Sequence, residues 1–339
     1  MRLIKTEDAV GHVLCHDMTQ IIKDQYKDAR FRKGHVVTEE DIPVLLSMGK
    51  EHLYVWEMTP GMVHENDAAE RLLALCGQEN MIRSGVKEGK IELKAACDGV
   101  FLVDSARLVA VNSQDEVMIA TRKGGMAVRE GDKLAGMRVI PLIIEEEKLR
   151  KAEQAAGDKP LLSLKPYVRK TACIVATGGE VKKGLIKDTF TPVVIDKLKT
   201  YGIETLEVVY SGDGVENVRD AVLTMREKKP DMILCTGGMS VDPDDNTPGG
   251  IKAAGANIIA YGAPVLPGAM FLLGYFDDGM PVMGLPGCVM YAGATVFDLV
   301  LPKIAADVPV TRADIAALGE GGLCLGCKPC YYPICPFGK

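Results

Sequence analysis

No apolar run in this chain reaches the length of a membrane-spanning helix, and the start Met1-Arg2-Leu3-Ile4-Lys5-Thr6-Glu7-Asp8 lacks the apolar core of a secretion signal. Both gaps argue against a membrane and for the cytoplasm. A block of basic residues is missing as well. With a formal net charge of -6, that absence excludes non-specific binding to nucleic acid, while small anions remain possible ligands for local loops. Histidine is scarce: His12, His16, His35, His52 and His64 are the whole complement. Their spacings fit no standard zinc motif, and His12 and His16 would share a face only on a helix that Gly11 opposes. They read as structural or surface residues.

What is present is enough apolar residue, 47% of 339, for two or three domains with real cores. Residues 1–65 form a mixed segment. In it, Thr38-Glu39-Glu40-Asp41 ahead of Ile42, Leu45, Leu46 and Met48 predicts a capped helix, and Leu53-Tyr54-Val55-Trp56 a strand. Leu45, Leu46, Leu53 and Trp56 are more than so short a segment would bury alone, which predicts a homo-oligomer. Residues 66–160 begin with a helix from His64 to Cys76, after which the period changes to two. The strands expected are Ile91–Ala95, Val100–Val103, Leu108–Val111 and Val117–Ala120, forming a small all-β module. Ala96-Cys97-Asp98-Gly99-Val100 and Val128-Arg129-Glu130-Gly131-Asp132 resemble strands of a lipoyl- or biotinyl-type sandwich. No lysine flanked by methionines stands there to carry a swinging arm, so the module reads as structural. A charged helix from Glu145 to Ala156 leads to a boundary near 160–168.

From residue 168 to 310 strands and helices alternate. Strands at Thr171–Thr177, Thr205–Tyr210 and Asp231–Thr236, with helices at Thr191–Tyr201 and Val215–Lys228 between them, predict a doubly wound parallel α/β sheet. Ile258–Tyr261 and Pro281–Leu285 add strands, and Tyr291–Ile304 a closing helix. Ligands of such sheets bind beyond the carboxyl ends of the strands. The loops there are Thr177-Gly178-Gly179-Glu180, Thr236-Gly237-Gly238-Met239-Ser240 and Leu285-Pro286-Gly287-Cys288. Gly237 and Gly238 can take positive φ and turn amide N–H groups towards a phosphate-like anion. Asn246 or Thr247 can cap a helix with Pro248 in its first turn. Asp242, Asp244 and Asp245 would repel a bare phosphate, so a bridging cation such as Mg2+ is expected.

These loops, together with Gly184-Leu185-Ile186-Lys187-Asp188 and Asp245-Asn246-Thr247-Pro248, resemble the molybdopterin-binding domain of molybdenum cofactor biosynthesis proteins, most of all the MoeA-type molybdopterin molybdenumtransferases and the gephyrin E domain. The resemblance covers about 170 to 305, with weaker likeness at Asp8–Leu14 and His16–Met18. It implies molybdopterin or adenylyl-molybdopterin held by Thr177, Gly178, Gly179, Thr236, Gly237, Gly238, Ser240, Pro286 and Gly287. It also implies an acidic pair, Asp188 and Asp245, with Asp245 on Mg2+ near the pyrophosphate. The reaction implied inserts molybdenum from molybdate and releases AMP; adenylyl transfer, or a non-catalytic carrier or regulator serving a molybdoenzyme partner, are the alternatives. The sequence departs from the family pattern at Gly179, where a carboxylate is usual, at Cys288-Val289, and at Ala269, where a lysine is frequent.

Six of the ten cysteines are scattered, as reduced buried thiols usually are. The other four lie in residues 311–339. Cys324, Cys327, Cys330 and Cys335-Pro336 form C-x2-C-x2-C-x4-C-P, one residue longer than a ferredoxin run and equally suited to a four-cysteine zinc site. Gly319, Gly321 and Gly322 suggest that this tail is mobile.

Overall fold

Side-chain alternation along the strands of the second half decides the architecture there. In the strand Thr171–Thr177, Ala172 and Ile174 point into one apolar layer, and Cys173 and Val175 into the other. Both faces are therefore covered, as a parallel sheet requires. The computed structural model describes residues 2–22, 26–55, 60–240 and 245–339, with Tyr26 and Glu180 as backbone only. Trp56, Asp242 and Asp244 lie outside the described residues.

By its contacts the chain divides into two units, residues 1–96, 103–124 and 131–163 in one, and 97–102, 125–130 and 164–339 in the other. The second unit holds a six-stranded sheet in the order Glu204–Ser211, Thr171–Thr177, Met232–Thr236, Pro281–Leu285, Leu272–Tyr275, Asn257–Tyr261. The first four run parallel, so Ser211, Thr177, Thr236 and Leu285 all end on one edge. The strand Leu272–Tyr275, which the sequence pattern did not single out, runs antiparallel to both neighbours. Helices Phe190–Lys199 and Val296–Ala305 cover one face, and Val215–Glu227 and Thr247–Ala253 the other. Gly250 lets these last two helices close up, because a Cβ there would sit 2.5 Å from Val218 Cβ. The closing helix starts at Val296, not Tyr291: Thr295 and Asp298 form a reciprocal capping box that fixes its first turn.

Two further expectations for this chain are corrected. The tail is docked, not mobile. Phe337 is buried in the larger core, the Tyr332 hydroxyl donates to the Asp298 carbonyl at 3.0 Å, and Gly338 N–H donates to the Gly321 carbonyl at 2.9 Å. The segment Leu108–Val111 is helical, in the first unit. Asp104 accepts the Arg107 amide at 3.1 Å and starts a helix Ser105–Asn112, so a local cap outweighs the β-branched residues. The remaining strands of the expected module do not form one sandwich. Met81–Arg83, Ile91–Ala95, Lys133–Val139 and Val117–Thr121 make an antiparallel sheet in the first unit, while Gly99–Val103 pairs with Met126–Val128.

The first unit also buries more than its length suggested. Leu45 and Leu53 are enclosed with Ile4, Leu14, Phe31 and Val55 in a core of their own, and of the residues behind the oligomer expectation Leu46 alone is exposed among the described ones. His64 has a structural role in the same unit. His64 Nε2 hydrogen-bonds the Cys15 carbonyl at 2.7 Å, and its Nδ1 accepts the Asn66 amide at 3.1 Å, capping the helix Glu65–Cys76. The second bond needs the neutral ring, since a protonated Nδ1 cannot accept. Burial, with like charge from Lys33, holds the His64 pKa below its ordinary value, and burial does the same for His16. Unfolded imidazoles titrate near about pH 6.5. Between that value and the depressed folded values the unfolded chain binds more protons, so stability is present above about pH 6.5 and is lost on acidification. The urea midpoint of the first unit should accordingly fall between about pH 7.5 and 5.5, and His64→Gln should flatten that slope; a wild-type midpoint constant over the interval would contradict this account.

Candidate functional site

The strand Met232–Thr236 is buried along its whole length and delivers Thr236 to the carboxyl edge of the sheet. There the chain turns through Gly237 and Gly238, with φ of 81° and 56°. Three hydroxyl contacts hold the turn. Thr177 Oγ1 donates to the Thr236 carbonyl at 2.9 Å, Thr247 Oγ1 donates to the Gly237 carbonyl at 2.9 Å, and the two hydroxyls stand 3.2 Å apart. The Thr247 amide closes the loop on the Gly238 carbonyl at 3.1 Å. The helix Thr247–Ala253 does begin where expected, with Pro248 in its first turn, but the Thr247 hydroxyl ties the glycine loop.

Both glycines are required by close packing as well as by φ. A Cβ on Gly237 would strike the Thr177 carbonyl oxygen, and one on Gly238 would lie 2.7 Å from Thr247 Oγ1. Below the turn Met239 is buried and fills the space above Gly284, whose Cβ would meet its sulphur at 2.5 Å. Ser240 is exposed beside it. The Cys235 thiol in the strand is pushed by burial up to about 12 and is chemically inert. At the neighbouring strand end Pro286 is buried, whereas Gly287 is exposed with open space where a Cβ would stand.

The carboxylates divide. Asp188 Oδ1 accepts the amides of Phe190 and Thr191 at 2.9 and 3.0 Å, capping the helix Phe190–Lys199, while its Oδ2 is buried without a hydrogen-bond partner. Burial works to raise its pKa, but the Thr191 side chain, the Thr191 and Phe190 amides and the Tyr210 side chain together prevail and hold it below the ordinary value. Its neighbour is Tyr210, whose phenol is raised by burial and then by this carboxylate. Asp245 is half-buried and lies within electrostatic reach of Tyr261 at the far end of the sheet. The two acids thus face the outermost strands of opposite sides, Glu204–Ser211 and Asn257–Tyr261. Among the described residues no three of His, Cys, Asp and Glu already stand together around one ion. Magnesium does not require three: it takes one or two carboxylates and completes its shell with water and ligand phosphate, so Asp245 is a fitting donor.

One acid was not apparent from the sequence. Asp213 reaches the Gly179 amide at 3.1 Å, next to Gly178, which has φ 139° and starts the short helix Gly179–Lys182. A carboxylate thus stands at the first loop after all, supplied by the strand next door in place of residue 179. Its signal was position, since Ser211-Gly212-Asp213-Gly214 follows a strand at the same sheet edge. The tail cysteines lie elsewhere in the unit: Cys324, Cys327, Cys330 and Cys335 all line one cavity of about 260 Å3. A larger hollow of about 600 Å3, along Glu204–Val208, contains none of the candidate residues.

Residues 173–306 match a family described as "probable molybdopterin binding domain", and residues 3–57 match a domain of unknown function (DUF8806). A CinA-like protein of Mycobacterium tuberculosis is 33% identical over 76 residues, 22% of this chain and 18% of that protein. The chain therefore matches less than a fifth of the length of that curated relative. Among solved structures, MogA superposes with a TM-score of 0.36 and 22% identity, covering 41% of this chain and all of that one. The molybdopterin biosynthesis enzyme MoaB of Thermus thermophilus gives a TM-score of 0.36 and 16% identity, covering 42% and 97%.

Proposed function

We propose that this chain, whose residues 173–306 match the molybdopterin-binding domain family, binds adenylyl-molybdopterin at the carboxyl edge of its sheet and inserts molybdenum from molybdate with release of AMP. The observation that carries the reading is the turn at Gly237 and Gly238, held in one shape by Thr177 and Thr247 at the end of a fully buried strand. Rigid backbone N–H groups on such a turn suit an anion and need no rearrangement when it arrives. Ser240 and Gly287 are exposed beside it and suit hydroxyl and close backbone contact with the ligand.

Asp245 is the residue assigned to hold Mg2+. When bound, the cation would neutralise phosphate oxygens and polarise the phosphoryl group. Asp188 positions the Phe190–Lys199 helix through the Phe190 and Thr191 amides. Molybdate is substrate in this scheme.

The test is AMP release from adenylyl-molybdopterin by the purified full chain, with and without molybdate and Mg2+. Molybdate-dependent release is expected. Asp245→Asn should raise the Mg2+ needed for half-maximal rate by about tenfold or more while circular dichroism is unchanged. Metal dependence identical to wild type in the folded variant would remove Asp245 from the site. Pterin binding without AMP release under any condition would replace insertion by a carrier role, which the displacement of the first-loop carboxylate from residue 179 to Asp213 favours.

A further inference from the structure

The cysteines of residues 324–335 take no part in the proposed reaction, yet the fold gathers them. They come from one short stretch and all border one cavity of about 260 Å3. Cys327 and Cys330 are exposed, and Cys324 and Cys335 half-buried. Four anchors give the loop this form. The Cys324 amide donates to the Leu266 carbonyl at 2.8 Å, the Leu266 amide donates to Gly322 at 2.8 Å, Tyr332 is hydrogen-bonded to the Val296–Ala305 helix, and Phe337 is buried beyond the last cysteine. Room has been left for a thiol as well. A Cβ on Gly293 would come within 2.8 Å of Cys330 Sγ, so glycine there admits the side chain.

We infer that Cys324, Cys327, Cys330 and Cys335 ligate one iron–sulphur cluster of the [4Fe–4S] type. The alternative for four cysteines is zinc, which draws its sulphurs to about 2.3 Å from one centre, hence within about 4 Å of one another. The four thiols border a cavity far wider than one such ion, and no three of them already share a single-ion site. A cubane suits this spread, because its four cysteine ligands attach to separate irons and so stand farther apart than the ligands of one zinc ion. The spacing C-x2-C-x2-C and the proline after the last cysteine are those of a cluster-binding run. In two-cluster ferredoxins the fourth cysteine of the run serves the other cluster. Here the fourth borders the same cavity as the first three and completes one set. Ala294 and Phe337, both buried, and half-buried Tyr332 form the inner, apolar wall of the cavity, while Leu325, Tyr331 and Ile334 line its exposed side.

The full chain is purified without oxygen, incubated with ferric iron, sulphide and excess thiol, which reduces part of the iron, then desalted and analysed for iron, acid-labile sulphide and zinc. About four iron and four sulphide per chain are expected, with a broad visible absorption that bleaches on reduction. Cys327→Ser and Cys330→Ser, both at exposed positions, should each lose most of the iron while circular dichroism is retained; Cys97→Ser should keep it. Cluster content is read without turnover, so it stands or falls apart from molybdenum insertion. One zinc per chain with no iron, no metal at all with four titratable thiols, or full iron in both serine variants would each overturn the assignment.

Discussion

Replacing Asp298 by alanine is expected to destabilise the second unit by about 3–5 kcal/mol, the cost of stranding a buried charge. Asp298 Oδ1 accepts Lys197 Nζ at 2.5 Å, and the two side chains are only 12% and 16% exposed. Its Oδ2 accepts the Thr295 amide at 2.8 Å. Alanine therefore removes the capping box of the Val296–Ala305 helix and leaves the Lys197 ammonium with the Gly293 carbonyl at 3.3 Å as its other acceptor. Urea denaturation followed by circular dichroism measures the loss. The double variant Lys197→Met/Asp298→Leu should regain much of it, because the desolvation of both charges disappears with them. A single-variant loss below about 1 kcal/mol would mean that the pair is solvated in solution.

The second large effect is expected at Gly237. A left-handed residue with a side chain costs about 1–2 kcal/mol in backbone strain alone. Here the added Cβ would also collide with the Thr177 carbonyl oxygen and lie 2.8 Å from its Oγ1. Relief requires the turn to open, which breaks the Thr177 to Thr236 hydrogen bond and moves the amides. Gly237→Ala should thus weaken molybdopterin binding by at least about tenfold, or 1.4 kcal/mol, in addition to lowering stability. Gly287→Ala is the contrasting variant. Nothing lies within 4 Å of its Cβ position, so stability should change by less than about 0.5 kcal/mol, and any binding loss there reports contact with ligand. Titration by calorimetry of both variants, with melting curves, separates the two. Unchanged affinity for Gly237→Ala would take the ligand away from this turn.

The sheet was legible because its signals are local. Met232–Thr236 is a short apolar run after Pro230, and its burial on both faces follows from that composition. The glycine turn was legible for the same reason. The hydroxyl tie that shapes it was not, since Thr177 and Thr247 are 70 residues apart and nothing in either neighbourhood announces the other. Asp213 was hidden similarly, being a loop residue whose role depends on which strand lies next to Thr171–Thr177. Ser105–Asn112 misled because its β-branched valines gave a strand-like pattern, while the deciding group was a single aspartate at the start. The tail misled because glycines permit motion without requiring it. Phe337, close to the last residue, is what fixes it.

The interleaving of the two units bears on how the chain acquires its shape during synthesis. Residues 97–102 and 125–130 leave the ribosome long before the rest of the unit to which they belong. Gly99–Val103 and Met126–Val128 can pair with each other as soon as both are made, but Met126–Val128 also packs against the Val296–Ala305 helix, which is absent until translation has passed residue 305. Over that interval the strand pair lacks the helix that later packs on it. A fragment starting at residue 164 would lack them permanently, and splitting this protein cleanly into its two halves would take a rearrangement of the gene order, not a single cut.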